Sequence, residues 1–276
     1  LREARWSSRD GLYETLAREP AECLVWPREA AARRSVAIGR AAFRAPLLLG
    51  GQAARAGMSC ASCHRSGRGN PHFLFPALSG APGTADVTSS LMSSHRGDGT
   101  ANPKPIPDLA LSPPKVSRAP GDGALKRFIR GLIVEEFDGP EPAPAVLAGL
   151  ADYVRALQPA ACRGTGHRVR LAERLDEAEQ AVALAADADP ATGRLLLAAA
   201  RSTFGAVDER FRVPGLERSR ALLRQADAEL GAIRSGSGGL RAWQRRWPDR
   251  RRLLLRDEPR SLFAPAVLRR ALAKAD

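Results

Sequence analysis

The feature that most constrains this chain is the pentapeptide Cys60-Ala61-Ser62-Cys63-His64. Two thiols lie three positions apart, and an imidazole follows the second thiol at once. This spacing is typical of covalent haem attachment, in which each thiol adds to a vinyl group of haem and the histidine binds the iron. The chain has only four cysteines and four histidines, so chance seldom produces this pattern. We therefore expect one haem c, attached through Cys60 and Cys63, with His64 as an iron ligand.

Two other interpretations of the cysteine pair are a zinc site and a dithiol redox centre. A structural zinc site needs further Cys or His ligands at matching spacing, and the sequence has no second C-x-x-C pair and no H-x-x-x-H pair. A thioredoxin-like dithiol is expected between a strand and a helix, whereas residues Gly50 to Met58 predict a loop. Both interpretations are less favoured than haem.

The second axial position of the iron has more than one candidate. Met92 follows the motif with enough intervening chain to reach the opposite face of the haem, whereas Met58 lies too close to Cys60. His95 is a rival, because a helix over residues 91–95 would place Met92 and His95 on one face. Met92 is the favoured ligand, and His95 and an open position are the alternatives.

The other two histidines are weaker candidates. His72 lies too near His64 in the chain, and His167 falls in a predicted linker. The choice of ligand determines the chemistry, because methionine ligation raises the reduction potential and suits electron transfer. Ligation by two histidines lowers the potential, and an open position admits peroxide or another small molecule.

The remaining cysteines, Cys23 and Cys162, predict a disulfide. Covalent haem attachment takes place outside the cytoplasm, where an oxidising compartment favours pairing of leftover cysteines. The bridge would close a loop of about 140 residues and stabilise the fold by restricting the unfolded chain. Two free buried thiols are the alternative. Because the chain starts at Leu1 with no apolar leader, we expect a removed signal peptide and a periplasmic location.

The pattern of apolar residues predicts an all-α fold with two domains, residues 1–162 and residues 163–276. Residues 45–120 are rich in Gly, Pro, Ser, Asn and Asp, which predicts long irregular loops around a haem. In the first domain, helices are predicted at Asp10 to Arg18, Pro27 to Phe43 with Pro27 in the first turn, Ala124 to Ile133, and Ala145 to Leu157.

The second domain is predicted to be a helical bundle that follows a linker at residues 163–170. Apolar residues recur at helical spacing in three stripes that start at Leu171, Ala200 and Leu216. Pro190, Pro214 and Ser235 to Gly239 separate the helices, as in an antiparallel bundle with short loops, and a last helix is predicted at Pro265 to Ala273.

The formal net charge of +13 is carried almost entirely by arginine. No stretch approaches the roughly 20 apolar residues that a membrane-spanning helix needs. The densest basic stretch runs from Arg241 to Arg252 and predicts either a solvated or helix-packing face or a contact with an acidic protein or an anionic membrane. Nucleic acid is disfavoured as a partner, because haem is attached outside the cytoplasm.

Two segments carry a resemblance to a known family. The run from Ala37 to Leu48 contains G-R-A-A-F-R-A-P-L-L, and residues 58–64 read M-S-C-A-S-C-H. Together they resemble the opening of bacterial di-haem cytochrome c peroxidases and their methylamine-utilisation relatives, and residues 128–157 resemble the family's closing helices. The resemblance covers about residues 30–160 and implies a cytochrome c-like haem domain.

The chain departs from that family in one respect that matters for activity. The family's peroxidases use two haems, whereas this chain has one attachment motif and helices in place of a second haem domain. We therefore expect periplasmic single-electron transfer to or from a redox partner. The alternatives are a peroxidase-like enzyme with an open iron position and an accessory subunit docked to a larger redox complex through its C-terminal bundle.

Overall fold

The structure is a computed structural model and describes residues 1–88, 91–236 and 238–274. Within these ranges the chain is mostly helical, with eleven α-helices and four strands of two residues each, so the expected all-α class is confirmed. The chain divides into two compact units. The N-terminal unit comprises Glu3–Thr15 and Glu19–His167, and the C-terminal unit comprises Leu1–Arg2, Leu16–Arg18 and the described part of Arg168–Asp276.

The first part of the chain alternates short helices with irregular segments. Its α-helices are α1 (Leu12–Ala17), α2 (Ala30–Phe43), α3 (Gly51–Ala56), α4 (Cys60–Cys63), α5 (Ala124–Gly131) and α6 (Pro144–Ala156). Its strands are β1 (Arg18–Glu19), β2 (Thr84–Ala85), β3 (Lys104–Pro105) and β4 (His167–Arg168). A π-helical turn (Leu132–Glu136) continues α5, and 3-10 turns lie at Arg2–Trp6, Pro46–Leu48, Arg65–Gly67 and Pro159–Ala161.

Two details of the predicted helices are wrong. Helix α2 begins at Ala30 with Glu29 as its N-cap residue, so Pro27 lies outside it rather than in its first turn. The segment before Cys60 was expected to be a loop, but residues 51–56 form α3, which ends at the left-handed Gly57. Only glycine adopts such a conformation without strain, and it often ends a helix.

Helices α2 and α6 pack against each other at two glycines. A Cβ atom on Gly39 would lie 1.9 Å from the carbonyl oxygen of Gly149, and one on Gly149 would lie 2.8 Å from the nitrogen of Gly39. The two backbones therefore touch, which only residues without a Cβ allow. Tyr153 and Phe43 extend this contact with their ring centroids 5.2 Å apart. This packing joins two helices that lie on either side of the motif in the sequence.

The long segment between α4 and α5 is irregular, as its composition predicts. Strand β2 pairs antiparallel with β3, with Thr84 opposite Pro105. Between the strands, the carboxylate of Asp86 accepts hydrogen bonds from the backbone nitrogens of Thr88 and Asn102, each at 3.0 Å. Ser89 and Ser90, which fall in the predicted irregular region, lie outside the described residues.

The C-terminal unit is a helical bundle. Its helices are α7 (Leu171–Ala186), α8 (Pro190–Arg210), α9 (Glu217–Arg234), α10 (Leu240–Asp257) and α11 (Pro265–Leu272), with a 3-10 turn at Glu258–Arg260. Helix α7 packs on α8, α8 on α9, α9 on α10, and α10 returns to α7. Because the connections are short, successive helices run antiparallel. Ser237, in the predicted loop between α9 and α10, lies outside the described residues.

Helix α10 was not anticipated from the sequence. Its interior contains Pro248, which lacks the backbone donor that a helix interior needs, and its composition is strongly basic. The helix forms because Trp243, Trp247 and Leu254 are buried on one face. The rings of Trp243 and Trp247 stack with centroids 5.0 Å apart, and Phe204 of α8 lies 4.9 Å from Trp247. This tertiary packing offsets the cost of the internal proline.

The basic stretch from Arg241 to Arg252 is largely used inside the bundle. Arg250 binds Glu229 with both terminal nitrogens at 2.8 Å, and Arg246 contacts the same carboxylate at 3.0 Å. Arg251 pairs with Asp176 and Glu179, and Arg252 pairs with Asp249. Four of the six arginines in this stretch therefore have acidic partners on α7, α9 or α10.

None of the helices in the described ranges combines the length and the apolar character that crossing a membrane requires. This finding agrees with the lack of a long apolar stretch in the sequence.

Candidate cofactor site

The motif cysteines lie on a single helical turn. Helix α4 begins with Ser59 as N-cap, and Ser59 and Ser62 form a reciprocal capping box in which each side chain accepts a hydrogen bond from the other residue's backbone. Cys60 and Cys63 form no disulfide. Three residues apart on one turn, both thiols point to the same side of the chain, as attachment of one planar group at two points requires.

Both thiols are partly accessible yet strongly desolvated. Burial raises the pKa of Cys60 and of Cys63 to about 12, with the neighbouring Cys60 adding to the effect on Cys63. A redox-active dithiol needs a thiolate with a lowered pKa. The environment therefore disfavours the dithiol alternative and keeps both sulfurs as neutral thiols that can form thioethers.

His64 is held in the tautomer that a metal ligand requires. Its Nδ1 lies 3.0 Å from the carbonyl oxygen of Pro107, which can only accept, so Nδ1 carries the proton and Nε2 keeps its lone pair. Burial lowers the pKa of His64 to about 4, a shift that the Pro107 carbonyl and Asp108 oppose and that Lys115 assists. The imidazole is therefore neutral at physiological pH, and the Pro107 carbonyl fixes its orientation, as a hydrogen-bond acceptor does for most metal-binding histidines.

The backbone after His64 is fixed by a tight turn. Ser66 has a φ of 51°, and Gly67 has a φ of 72°. A Cβ on Gly67 would lie 2.4 Å from Leu157 Cδ1, so this position excludes larger residues. The amide of Asn70 donates to the carbonyl oxygen of Ser62 at 2.9 Å and ties the turn back to the motif helix.

Residues near the start of the chain hold the same turn from the other side. Arg65 donates to the carbonyl oxygen of Thr15 at 2.9 Å and pairs with Glu19, whose carboxylate also accepts a hydrogen bond from Ser66 Oγ at 2.6 Å. Arg68 pairs with Asp108, next to the residue that contacts His64. The motif is thus anchored by contacts to residues that are remote in sequence.

The disulfide expected from the sequence is confirmed. Cys23 and Cys162 are bonded, with Cα atoms 4.4 Å apart, and they lie 139 positions apart in the chain. Arg68 Nη1 lies 3.2 Å from Cys23 Sγ, which connects the bridge to the loop after the motif. The bridge therefore closes almost the whole N-terminal unit around the site.

The two methionines are buried, and the competing histidine is not. Met92 is 1% exposed and Met58 is 2% exposed. The His95 side chain is 61% exposed, and its Nδ1 lies 3.0 Å from Asp138 Oδ1. Residues 91–95 form no helix, so the geometry in which Met92 and His95 would share a face does not occur. Burial favours Met92 over His95 as a ligand, and its role as a ligand stays a prediction.

Asp138 fixes the segment that carries Met92. Its carboxylate accepts hydrogen bonds from the backbone nitrogen of Ser94 at 2.9 Å and from Ser94 Oγ at 2.8 Å. Hydrogen bonds from the Ser94 backbone, then from its side chain and from His95, hold the pKa of Asp138 below its usual value despite some desolvation. Asp138 was not identified from the sequence, because its contact with Ser94 spans 44 positions and no local pattern relates the two residues.

The sequence disfavours His72 and His167 as iron ligands, and that stays a prediction. His72 accepts a hydrogen bond from the backbone of Ser8 through its carbonyl oxygen, and its ring lies against Gly11. His167 is exposed on β4. Among the described residues, no group of three or more His, Cys, Asp or Glu side chains is arranged to hold a metal ion, so the zinc alternative gains no support there.

A buried polar cluster behind His64 was also missed from the sequence. Glu22 accepts a hydrogen bond from Tyr153 Oη at 2.6 Å and ion pairs with Arg40 and Arg44. Burial alone would raise the pKa of Glu22, but Arg44, Arg40 and the Tyr153 hydroxyl together lower it to about 2. Phe43 connects this cluster to the site, with its ring centroid 6.4 Å from that of His64.

The sequence contains one signal for this cluster: Arg40 and Arg44 lie four positions apart at the end of α2. Residues four apart share a helix face, so two arginines at that spacing would repel each other without a carboxylate between them.

Comparison with known protein families, with curated proteins and with solved structures finds no match to this chain.

Proposed function

We propose that the N-terminal unit is a cytochrome c-like domain that carries one covalently bound haem c and transfers single electrons. The observation that carries the proposal is the geometry of the motif. Two neutral thiols lie on one helical turn, and the histidine after them is held neutral by the Pro107 carbonyl with Nε2 free. When bound, the haem iron supplies a one-electron redox couple.

The residues of the chain would have separate tasks. Cys60 and Cys63 would tether the cofactor, His64 would bind the iron, and the Pro107 carbonyl would keep the imidazole oriented and raise its basicity. Met92 is the proposed second ligand, because it is buried and because Asp138 anchors the residues after it. The partial burial of Cys60, Cys63 and His64 limits their contact with water.

The compartment and the type of partner follow from the same chemistry. A disulfide that closes the N-terminal unit is typical of proteins in oxidising compartments such as the periplasm, which is also where haem is attached covalently. An acidic redox protein is the proposed partner of this basic chain, and the peroxidase-like and accessory-subunit functions remain the alternatives. The accessory-subunit function loses part of its basis, because most arginines of the Arg241 to Arg252 stretch pair within the bundle.

The test is an optical and EPR comparison of the purified wild type with Met92→Ala and His95→Ala. We expect a low-spin, six-coordinate haem c in the wild type and in His95→Ala, and a loss of the sixth ligand in Met92→Ala. His95→Ala is the matched control, because it alters the same segment at an exposed side chain.

Three outcomes would contradict parts of this proposal. Absence of covalent haem would overturn it entirely. A high-spin ferric wild type that binds cyanide or peroxide rapidly would favour the peroxidase-like enzyme. An intact low-spin spectrum in Met92→Ala would remove Met92 as ligand.

A further inference from the structure

The carbonyl oxygen that orients His64 belongs to Pro107, at the start of a turn that Asp108 organises. The carboxylate of Asp108 accepts hydrogen bonds from the backbone nitrogens of Ala110 at 2.9 Å and of Leu111 at 3.0 Å. These bonds fix the turn from within. Because Pro107 directly precedes Asp108, the way in which the turn is held against the motif decides where the Pro107 carbonyl lies.

Two further contacts join this turn to the segment that follows the motif. The backbone nitrogen of Leu109 donates to the carbonyl oxygen of Gly67 at 3.0 Å, and Arg68 Nε donates to the carboxylate of Asp108. The second contact joins two ionised groups, and hydrogen bonds of that kind are about twice as strong as those between neutral groups. The Arg68 side chain is therefore the stronger of the two attachments.

Arg68 is itself fixed from the opposite side. Its Nη1 lies 3.4 Å from the carbonyl oxygen of Ala21 and 3.2 Å from Cys23 Sγ, and Cys23 is bonded to Cys162. A guanidinium is planar and its donors point in fixed directions, so contacts at both ends determine its orientation. Arg68 therefore holds Asp108 against a part of the chain that the disulfide restrains.

The position of the Pro107 carbonyl has a chemical consequence for an iron ligand. A hydrogen bond from Nδ1–H of His64 to this carbonyl raises the basicity of the imidazole. A more basic ligand stabilises ferric iron more than ferrous iron, so a stronger hydrogen bond lowers the reduction potential. A residue that holds the carbonyl in place would therefore set the potential without binding the iron.

We propose that Arg68 is a positioning residue for the iron ligand: through Asp108 it holds the Pro107 carbonyl against His64 and thereby lowers the reduction potential of the haem. The inference rests on the proposed function, since it needs a haem bound to His64. Its sign separates it from a simple charge effect. A positive charge near a haem favours the reduced form and raises the potential, whereas the positioning role of Arg68 lowers it.

The first test is the reduction potential of the haem-bearing Arg68→Lys variant, measured by spectroelectrochemical titration. Lysine keeps the positive charge but offers one ammonium group in place of a planar fork, so it does not hold Asp108 and Ala21 at once in the same directions. The Pro107 carbonyl then retreats from His64 and the potential rises. We expect the equilibrium constant for reduction to increase about threefold, which is a rise of about 30 mV.

The second test follows the hydrogen bond itself. NMR of the reduced, low-spin protein measures how fast the Nδ1 proton of His64 exchanges with deuterated solvent. Losing about the free energy of one hydrogen bond should speed this exchange about 10-fold in Arg68→Lys. The matched control is Arg220→Lys, because Arg220 in the bundle also binds an aspartate through Nε, at 3.1 Å, and has a side chain of similar exposure. Both readouts should be unchanged in the control.

The outcomes separate the possible failures. An unchanged potential and exchange rate in Arg68→Lys, even with a lower melting temperature, would mean that Arg68 only stabilises the fold and would overturn the inference. If Arg68→Lys does not fold, Asp108→Asn replaces it, since the amide keeps an acceptor for the turn but loses the charge that Arg68 binds. The Nδ1 proton should again exchange about 10-fold faster, and an unchanged rate would contradict the positioning role. A wild type without covalent haem would instead overturn the proposed function, and its optical spectrum reveals this first.

Discussion

The core of the C-terminal unit forms from apolar side chains at helical spacing. The N-terminal unit contains long irregular segments and is held together by individual contacts between residues remote in sequence. In the bundle, apolar side chains on each helix face a shared interior, where Phe204, Trp243 and Trp247 are buried together. Helices α7 to α10 form a closed series of contacts, because α10 packs on both α9 and α7. Such a unit needs no cofactor to explain its core.

The N-terminal unit depends instead on pairwise links. The Cys23–Cys162 bridge, the glycine contact between α2 and α6, and the Glu22 cluster each join parts of the chain that are remote in sequence. Long loops without regular structure are uncommon in compact domains unless a functional group organises them. The difference between the units implies that loss of one link affects the N-terminal unit far more than loss of one contact affects the bundle.

The largest effect is expected from Cys60→Ala/Cys63→Ala. Without attached haem, we expect the cooperative unfolding transition of the N-terminal unit to be lost, while the bundle keeps its helical circular dichroism and its transition. A haemochrome spectrum and thermal melts measure both effects. Ala61→Ser is the control, because it alters a position of the motif that carries no chemistry. Equal shifts of both transitions would show that the two units do not differ in this way.

The next largest effect is expected from Cys23→Ser/Cys162→Ser. In the chain-entropy model, a bridge that closes a loop of about 140 residues stabilises the folded state by about 5 kcal/mol. Urea denaturation should therefore show a loss of that order in the N-terminal unit and none in the bundle. Treatment of the wild type with dithiothreitol should reproduce the loss, since thioether bonds to haem resist reduction. An unchanged midpoint after either treatment would contradict the assigned role of the bridge.

The same difference explains how much could be predicted from the sequence. Most helices of the bundle follow from apolar residues at helical spacing and from Pro190 and Pro214, because those signals are local. Asp189 confirms one boundary, since its carboxylate accepts hydrogen bonds from Ala191 and Thr192 at the start of α8. Helix α10 escaped prediction, because its stability comes from buried tryptophans rather than from the propensity of a segment with Pro248 inside.

In the N-terminal unit, the motif identified the candidate site, but not the residues that support it. The roles of Cys60, Cys63 and His64 are predicted from their spacing within five consecutive residues. By contrast, Pro107 and Asp138 lie more than 40 residues from the residues they contact, and no spacing rule relates the two. Contacts of this kind depend on the path that a loop takes. The composition of the loop predicts that it is irregular but does not predict its path.

The third prediction concerns the pH dependence that Glu22 adds. Its pKa is lowered from the usual 4.5 to about 2, so the folded state favours its charged form. This contribution, about 3 kcal/mol, is fully present above pH 4.5 and is lost as the pH falls from 4.5 toward 2. The difference in free energy of unfolding between the wild type and Glu22→Gln should shrink over that range. The same substitution at the exposed Glu29 is the control, and a difference independent of pH would contradict the ion-pair explanation.

The smallest effects are expected in the bundle, where two arginines of α10, Arg250 and Arg252, differ in the burial of their ion pairs. Arg250 has a side chain 8% exposed and binds Glu229 at two points, so Arg250→Ala would leave a partly buried carboxylate with one fewer partner. We expect a cost of about 2 to 3 kcal/mol. Arg252 pairs with Asp249 where both side chains are more than three-quarters exposed, so Arg252→Ala should cost less than about 0.5 kcal/mol. Urea denaturation monitored by tryptophan fluorescence measures both, because Trp243 and Trp247 lie in this helix. If the two variants were equally stable, Arg250 would act as a surface charge, and the bundle would rest on its apolar core alone.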